Sequence, residues 1–344
     1  MDQRGYPRPG LIILFGSGET SPTGRKIFEP VFRLLPPSPR VALLETPAGF
    51  ELNSNQVINR VGDFFTSRLQ NYSPRVDIIP ARMRGTSFSP DDPAVVGPML
   101  FADLIFMGPG SPTYAVRQLR KSLAWYYLLA RHQLGAVLAL ASAACVAVSA
   151  YTLPVYEIYK AGEDIHWKPG LDFFQLYGLK LVFIPHWNNN EGGVKLDTSR
   201  CFIGQERFSK LLSMLPKDMI VIGLDEKTAL IIDPMHMECQ VRGLGNITVI
   251  HSGHKHHPDS SMDSVSNLAQ DFTRPNEDPS LVIRQEEGQV HQYHAGDIIP
   301  LAEFGPFHPC IPGANLPPQI WQIARTINNG ISSNVAETPP DEII

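Results

Sequence analysis

The sequence predicts an α/β fold: a three-layer sandwich with a mostly parallel central sheet, antiparallel edge hairpins and a proline-rich C-terminal extension. Three observations predict it. Short, continuously apolar runs alternate with longer amphipathic stretches from residue 11 to residue 140. Loops rich in glycine and small residues follow those runs. Beyond residue 218, short apolar runs follow one another with only turns between them, which is the pattern of antiparallel pairs.

The runs Leu11–Phe15, Val41–Leu44, Val76–Ile79, Leu104–Met107 and Ala136–Leu140 read as buried strands. Between them, Thr23–Leu35, Ser54–Leu69 and Pro112–Arg131 read as helices, the last opening on a proline suited to a first helical turn. Leu179–Ile184 is a further strand, and Gln205–Leu215 a helix. Met219–Leu224, Ala229–Ile232, Cys239–Arg242 and Ile247–Ile250 form the antiparallel edge. After His251 the periodicity is lost. His254-Lys255-His256-His257-Pro258 and Pro275-Asn276-Glu277-Asp278-Pro279 read as linker, with one helix expected at Pro318–Ile327. On this reading residues 1–254 are the domain and residues 255–344 an extension with little structure of its own. There is no internal repeat.

Composition narrows the function classes. The chain of 344 residues is 43% hydrophobic and only 18% charged, with a net charge of −5, so it supports a large core and offers no basic field to nucleic acid. No apolar run approaches the roughly 18 residues of a membrane span, and the N-terminus lacks the apolar stretch of a signal peptide. Cys145, Cys201, Cys239 and Cys310 are scattered without a C-x-x-C pair, which fits reduced thiols in a cytoplasmic setting. No G-x-G-x-x-G follows the first strand and no G-x-x-x-x-G-K-[ST] occurs, so nucleotide binding is not expected. The histidines at 254–257 have no cysteine or carboxylate at ligand spacing, so neither a metal nor another cofactor is expected.

In an open α/β sheet, ligands bind at the carboxyl ends of the strands. Three small-residue loops fall there: Gly16-Ser17-Gly18-Glu19-Thr20, Thr46-Pro47-Ala48-Gly49 and Gly108-Pro109-Gly110-Ser111-Pro112. The sharpest chemical signal follows the fifth strand, where the apolar run breaks through Ala141-Ser142-Ala143-Ala144. A strand that turns into a helix through a serine lifts the hydroxyl above the sheet edge and frees the next amide for an oxyanion. Leu140 and Ala144 stand where the G-x-S-x-G pattern has glycine. A base is expected at His186, directly after a strand end, and Glu157 is the first choice for the acid that orients it, in the order serine, acid, histidine. Glu163, Asp164 and His166 are alternatives to Glu157. Asn188, in the polar turn after His186, is a candidate substrate contact. Asp225-Glu226 either meets a substrate amine or caps a hairpin. Cys145, one helical turn beyond Ser142, is read as a buried thiol.

Several segments together resemble the serine peptidase family that includes dipeptidase E and cyanophycinase, within the class I glutamine-amidotransferase-like fold. Gly16-Ser17-Gly18-Glu19 is similar to its first glycine-rich turn, and Phe106-Met107-Gly108-Pro109-Gly110-Ser111-Pro112-Thr113 to its G-G-G-N-T turn. Ser142-Ala143-Ala144 resembles its S-A-G elbow, Pro185-His186-Trp187 its P-H-aromatic strand end, and Gly223-Leu224-Asp225-Glu226-Lys227-Thr228-Ala229-Leu230 its G-I-D-E-x-T-A-L hairpin. The resemblance covers roughly residues 10 to 250 and departs from the family at Leu140, Ala144, Pro109 and Ser111. It implies a serine nucleophile at Ser142, a base at His186, an acid at or near Glu157, and an oxyanion pocket from the Gly108–Gly110 turn and the Ala143 amide. Gly18, Glu19 and Ser111 fall in its substrate-facing loops. The expected function is hydrolysis of a small peptide or isopeptide amide. The alternatives are an inactive binding protein on the same fold and an amidotransferase-like enzyme using Cys145.

Overall fold

The computed structural model describes residues 8–252 and 289–336, with side chains described as far as residue 331. Strand β1 (Ile12–Phe15) leads through α1 (Pro22–Phe32) to β2 (Arg40–Leu44), and α2 (Ser54–Arg68) leads to β3 (Arg75–Ile79). The short α3 (Pro93–Val96) precedes β4 (Leu104–Met107); α4 (Pro112–Leu119) and α5 (Leu123–Gln133) precede β5 (Val137–Ala141), which turns at once into α6 (Ala143–Ala147). These five strands run parallel in the order β1-β5-β4-β2-β3.

The chain continues through β6 (Tyr151–Thr152), α7 (Val155–Tyr159), β7 (Lys168–Pro169), β8 (Leu181–Ile184), α8 (Gln205–Ser213), β9 (Ile220–Leu224), β10 (Thr228–Asp233), β11 (Glu238–Gly243) and β12 (Asn246–His251). It ends with β13 (Gln289–His294), β14 (Ile298–Pro300) and α9 (Pro318–Ala336). Strands β10, β11 and β14 join the main sheet as antiparallel neighbours beyond β1. A second sheet has the order β13-β12-β9-β8, with β8 and β9 parallel and the rest antiparallel. This is the α/β architecture the sequence predicts.

Period-two alternation divides the strands between two cores. Ile13 and Phe15 of β1, Leu43 of β2, Phe106 of β4 and Ala139 of β5 face one side, where Phe28 and Phe32 of α1 and Phe64 and Phe65 of α2 cover them. Ile12, Leu14, Ala42, Ile105 and Leu138 face the other side, against α5 and against Phe183, Ile222 and Val249 of the second sheet. Both faces of β1, β2, β4 and β5 are therefore dry, which is why their sequences are apolar runs, whereas β3 at the sheet edge stays largely exposed. Each large side chain so buried contributes about 1.5–3 kcal/mol.

Two expectations are corrected. Residues 112–131 do not form one helix: Lys121 takes φ 57°, and Ser122 caps a new helix by accepting the Trp125 N–H at 3.1 Å. The capping hydroxyl competes with continuation of α4. Residues 289–336 are also more structured than expected, because β13 and β14 extend both sheets and Ile299, Leu301, Phe304 and Ala324 are buried in the main core. The sequence hid this. Strand β13 reads Gln-Val-His-Gln-Tyr-His, a largely exposed polar edge, and β14 is three residues long. The segments 254–258 and 275–279, and the boundary set between residues 254 and 255, lie outside the described residues. Among the described residues, no helix is long and apolar enough to cross a membrane.

Candidate active site

Ser142 sits at the crest between β5 and α6. Its N–H donates to the Phe15 carbonyl at 3.1 Å, which extends the β1–β5 pairing by one bond. The backbone then reverses through φ 52° and ψ −113° at Ser142. A non-glycine residue held there stores on the order of 1–3 kcal/mol, a cost tolerated where surrounding structure over-determines the turn. Ala143 begins the helix, so its N–H has no intrahelical acceptor and, among the described residues, no other partner. Leu140 and Ala144, in the two glycine places, are both buried in the main core, so their added volume is used in packing beneath the turn.

His186 follows β8 by two residues and also adopts a left-handed conformation, φ 51°. Its N–H donates to the Gly16 carbonyl at 3.2 Å, and its own carbonyl accepts from Asn189 and Cys201, each at 3.2 Å. So held, its Nε2 lies 2.9 Å from Ser142 Oγ. The side chain is 17% exposed, enough for a ligand to approach while most of the ring stays dry.

The carboxylate on the other ring nitrogen is Glu226. Its Oε1 is 2.9 Å from His186 Nδ1 and also accepts from Asn189 Nδ2 at 2.9 Å. The Glu226 N–H donates to Asn188 Oδ1 at 2.8 Å. Glu226 stands in the turn joining β9 to β10, and β9 pairs in parallel with β8 so that Ile184 lies opposite Gly223. Residues just past the ends of those two strands therefore meet. Two glycines permit the approach. A Cβ on Gly16 would fall 2.1 Å from the Asp225 carbonyl oxygen, and one on Gly223 would fall 2.3 Å from the Trp187 ring. Burial pushes the Glu226 carboxyl up, but the hydrogen bonds from Asn189 and His186 and the charges of His186 and Lys227 bring it below its ordinary value.

Glu157, expected to orient the imidazole, is elsewhere. It accepts from Thr113 Oγ1 at 2.6 Å and lies 3.6 Å from Lys168 Nζ. The expected order serine, acid, histidine gives way to serine, histidine, acid, because strand adjacency rather than chain order sets which carboxylate meets the ring. Glu226, expected at a substrate amine or as a hairpin cap, is on His186 instead. Asn188, expected to face substrate, instead accepts the Glu226 N–H through its side chain. The one sequence signal on Glu226 was its place in a hairpin turn directly after a strand; that this strand lies beside the histidine-bearing one is seen only in the pairing of β8 with β9.

The remaining candidates surround this chain of hydrogen bonds. Gly110 has φ 140°, and a Cβ there would lie 2.0 Å from the Pro47 carbonyl oxygen, so only glycine fits the turn. The neighbouring Ser111 N–H donates to that same oxygen at 2.9 Å, while among the described residues the Gly110 N–H has no partner. Ser111 Oγ caps α4 by accepting from Tyr114 N–H at 3.2 Å. Gly108 directly follows β4 at the start of the same turn. Gly18, at φ 74°, turns the first loop so that its carbonyl accepts from Ser21 Oγ at 2.6 Å. Burial pushes the carboxyl of Glu19 up against the lowering influence of a backbone hydrogen bond and of His186. Cys145 is fully buried, its Sγ directed at the carbonyls of Phe15 (3.4 Å) and Leu140 (3.3 Å), and burial pushes its thiol well up. Beside the Ser111 turn opens a cavity of about 840 Å³, lined by Thr113, Arg117, Tyr156, Glu157, Lys160 and Lys168 among others.

No model of a known protein family matches the chain, and no curated protein matches it. Among solved structures it is similar to a peptidase from an acI-B1 Actinobacterium, with a TM-score of 0.56 and 21% identity over 76% of this chain and 98% of that one. It also has similarity to a "Putative Peptidase E Protein" from Listeria monocytogenes EGD-e, with a TM-score of 0.45 and 14% identity over 69% of this chain and 99% of that one. The first likeness shows that the chain has a peptidase-like α/β fold.

Proposed function

We propose that the protein is a serine hydrolase that cleaves the amide bond of a small peptide or isopeptide. The observation that carries this reading is the hydrogen-bond chain from Ser142 Oγ through His186 to Glu226, with both steps at 2.9 Å. His186 Nε2 takes the hydroxyl proton as Ser142 Oγ attacks the carbonyl carbon, and Glu226 holds the ring by Nδ1 and stabilises the imidazolium. The N–H groups of Ala143 and Gly110 are the donors for the carbonyl oxygen as it gains charge. The tetrahedral intermediate collapses as the imidazolium gives its proton to the leaving nitrogen, releasing an amine and leaving an acyl ester on Ser142. Water then attacks the ester with His186 again as base, which frees the carboxylic acid and restores the serine. The route uses only the chain's own groups and water.

The cavity beside Ser111 is where the substrate side chain would sit. Arg117 and Lys160, both suited to an acidic group, line it. Two other cations, Arg200 and Lys195, do not line it; Arg200 donates to the Trp187 carbonyl at 2.9 Å and stacks on its ring. A nucleophile at Cys145 is disfavoured because its thiol is engaged with two backbone carbonyls in the core.

A fluorophosphonate probe tests the nucleophile without knowledge of the substrate, and a panel of acidic dipeptides and isopeptides tests turnover. Labelling at Ser142 and amine release, both lost in Ser142→Ala, are expected. A folded chain that neither labels nor turns over any amide would leave a binding protein on a hydrolase fold.

A further inference from the structure

A second cluster lies at the edge of the smaller sheet. Pairing of β12 with β13 sets Val249 opposite His291 and His251 opposite Gln289. Side chains alternate along strands, so His251 and His291 are diagonal neighbours on one face, with ring centroids 5.8 Å apart. Glu303, from the 3₁₀ turn Leu301–Phe304 that follows β14, closes the cluster. Its Oε1 lies 3.5 Å from His251 Nε2 and is hydrogen-bonded to His291 Nδ1. One donor atom from each of the three residues lies within 4.8 Å of the others.

We propose that His251, His291 and Glu303 bind one divalent first-row transition metal ion of the zinc type. Zinc bonds imidazole nitrogen and carboxylate oxygen at about 2.0–2.2 Å in tetrahedral geometry, which sets ligand atoms roughly 3.4 Å apart. The His251–Glu303 separation already matches such an edge. An ion would replace the His291–Glu303 hydrogen bond and open that pair to the same edge, and all three atoms already lie within 4.8 Å of one another. Two imidazoles among three donors favour zinc, copper or nickel over the hard cations magnesium and calcium. The three side chains are only 26–34% exposed, so the ion would be partly shielded while a fourth position stays open to water. The Tyr293 hydroxyl hydrogen-bonds the Glu303 carboxylate, where it can support that ligand from outside the first ring of donors. Among the described residues, the ion-pair partners of Glu303 are these two histidines, and no lysine or arginine pairs with it.

This assignment departs from the sequence reading, which expected no metal. His251 and His291 flank the segment 253–288, so their chain spacing gives no ligand motif. Bound metal would pin β12, β13 and the turn after β14 together, a stabilisation of the folded state alone. The site does not rest on the proposed hydrolysis and uses none of its residues.

Isothermal titration of the untagged, chelator-stripped chain with zinc chloride, and separately with magnesium chloride, tests it. One zinc per chain is expected, with a rise in melting temperature and no response to magnesium. Affinity is expected to fall by about 100-fold or more in His291→Ala and in Glu303→Gln, since even outer partners of a ligand cost 10–100-fold. The triple variant His254→Ala, His256→Ala, His257→Ala separates this cluster from the histidine run and is expected to keep the affinity. Histidine carbethoxylation of the unaltered chain gives a reading that needs no variant to fold: zinc is expected to protect His251 and His291. Absence of stoichiometric zinc, binding unchanged in Glu303→Gln, binding lost in the triple variant, or no protection of His251 and His291 would each overturn the assignment.

Discussion

Glu226 Oε1 lies 2.9 Å from His186 Nδ1, at the far end of a hydrogen-bond chain that begins at Ser142 Oγ. A carboxylate so placed selects the imidazole tautomer that leaves Nε2 free to accept. Glu226→Gln presents an amide whose donor end disfavours that tautomer. Turnover is expected to fall by up to about 10⁴-fold with KM little changed. Glu157→Gln is the contrast. That residue lines the cavity and holds Thr113, so the change is expected to raise KM and leave kcat close to wild type. Steady-state kinetics on the two variants decides between the carboxylates. Equal kcat losses would sink the distinction.

The non-glycine elbow has its own consequence. Leu140 and Ala144 are fully packed in the core below Ser142. Leu140→Gly removes a buried side chain, for which truncation of leucine costs about 2–5 kcal/mol, and adds strand flexibility worth roughly 0.5–1 kcal/mol. A large drop in denaturation midpoint is expected, with no gain in turnover. A variant that became faster would mean that the leucine obstructs the site.

Gly16 carries the approach of the Glu226 turn to His186. With Gly16→Ala, the new methyl would meet the Asp225 carbonyl at 2.1 Å unless the backbone moves. A shift of about 1 Å at a catalytic group costs on the order of 10²-fold in rate. Expected, therefore, is a chain that still folds by circular dichroism but loses turnover on that scale. Wild-type kinetics from Gly16→Ala would show that the turn is not held by this contact.

Cys145 offers a test in the opposite direction. Among the described residues, its thiol hydrogen-bonds only to backbone carbonyls. Cys145→Ala is expected to keep kcat and KM while losing about 1 kcal/mol of stability, the usual net worth of a hydrogen bond. Abolished turnover in a folded variant would return the amidotransferase-like reading.

Stability is expected to depend on pH through His132, which is fully buried beside Tyr177 and whose pKa is lowered by burial from 6.5 to about 3. A depressed histidine pKa means that the unfolded chain binds the extra proton first. The stabilisation is therefore complete above about pH 6.5 and is lost as pH falls from there toward 3, at up to about 1.4 kcal/mol per pH unit. The lowered carboxyl of Glu226 acts in the same direction lower down, its share being present above 4.5 and lost as pH falls through the folded value. Denaturant unfolding at pH 7, 5 and 4 is expected to show this slope, shallower in His132→Asn. An identical slope in the variant would rule out His132 as its source.

Much of this architecture was legible from residue order alone. Buried parallel strands must be apolar on both faces, so β1, β2, β4 and β5 announced themselves as runs. The serine turn after β5 and the histidine after β8 were legible for the same local reason: each sits where a strand stops. Three things were not. Glu157 lies in the short helix α7 and Glu226 in the turn between β9 and β10, and neither setting by itself marks the partner of His186. The parallel pairing of β8 with β9 chose Glu226 by bringing two strand ends side by side. The extension of both sheets by residues 289–300 was hidden because a polar edge strand has no periodic apolar signature. The cluster of His251, His291 and Glu303 exists only because antiparallel register sets residues from three distant stretches on one face. Apolar runs are a property of residues and their neighbours in sequence, so the sequence by itself determined the buried parallel strands and the turns that end them. Partnership across the sheet depends on register and strand order, and only the tertiary structure decided that.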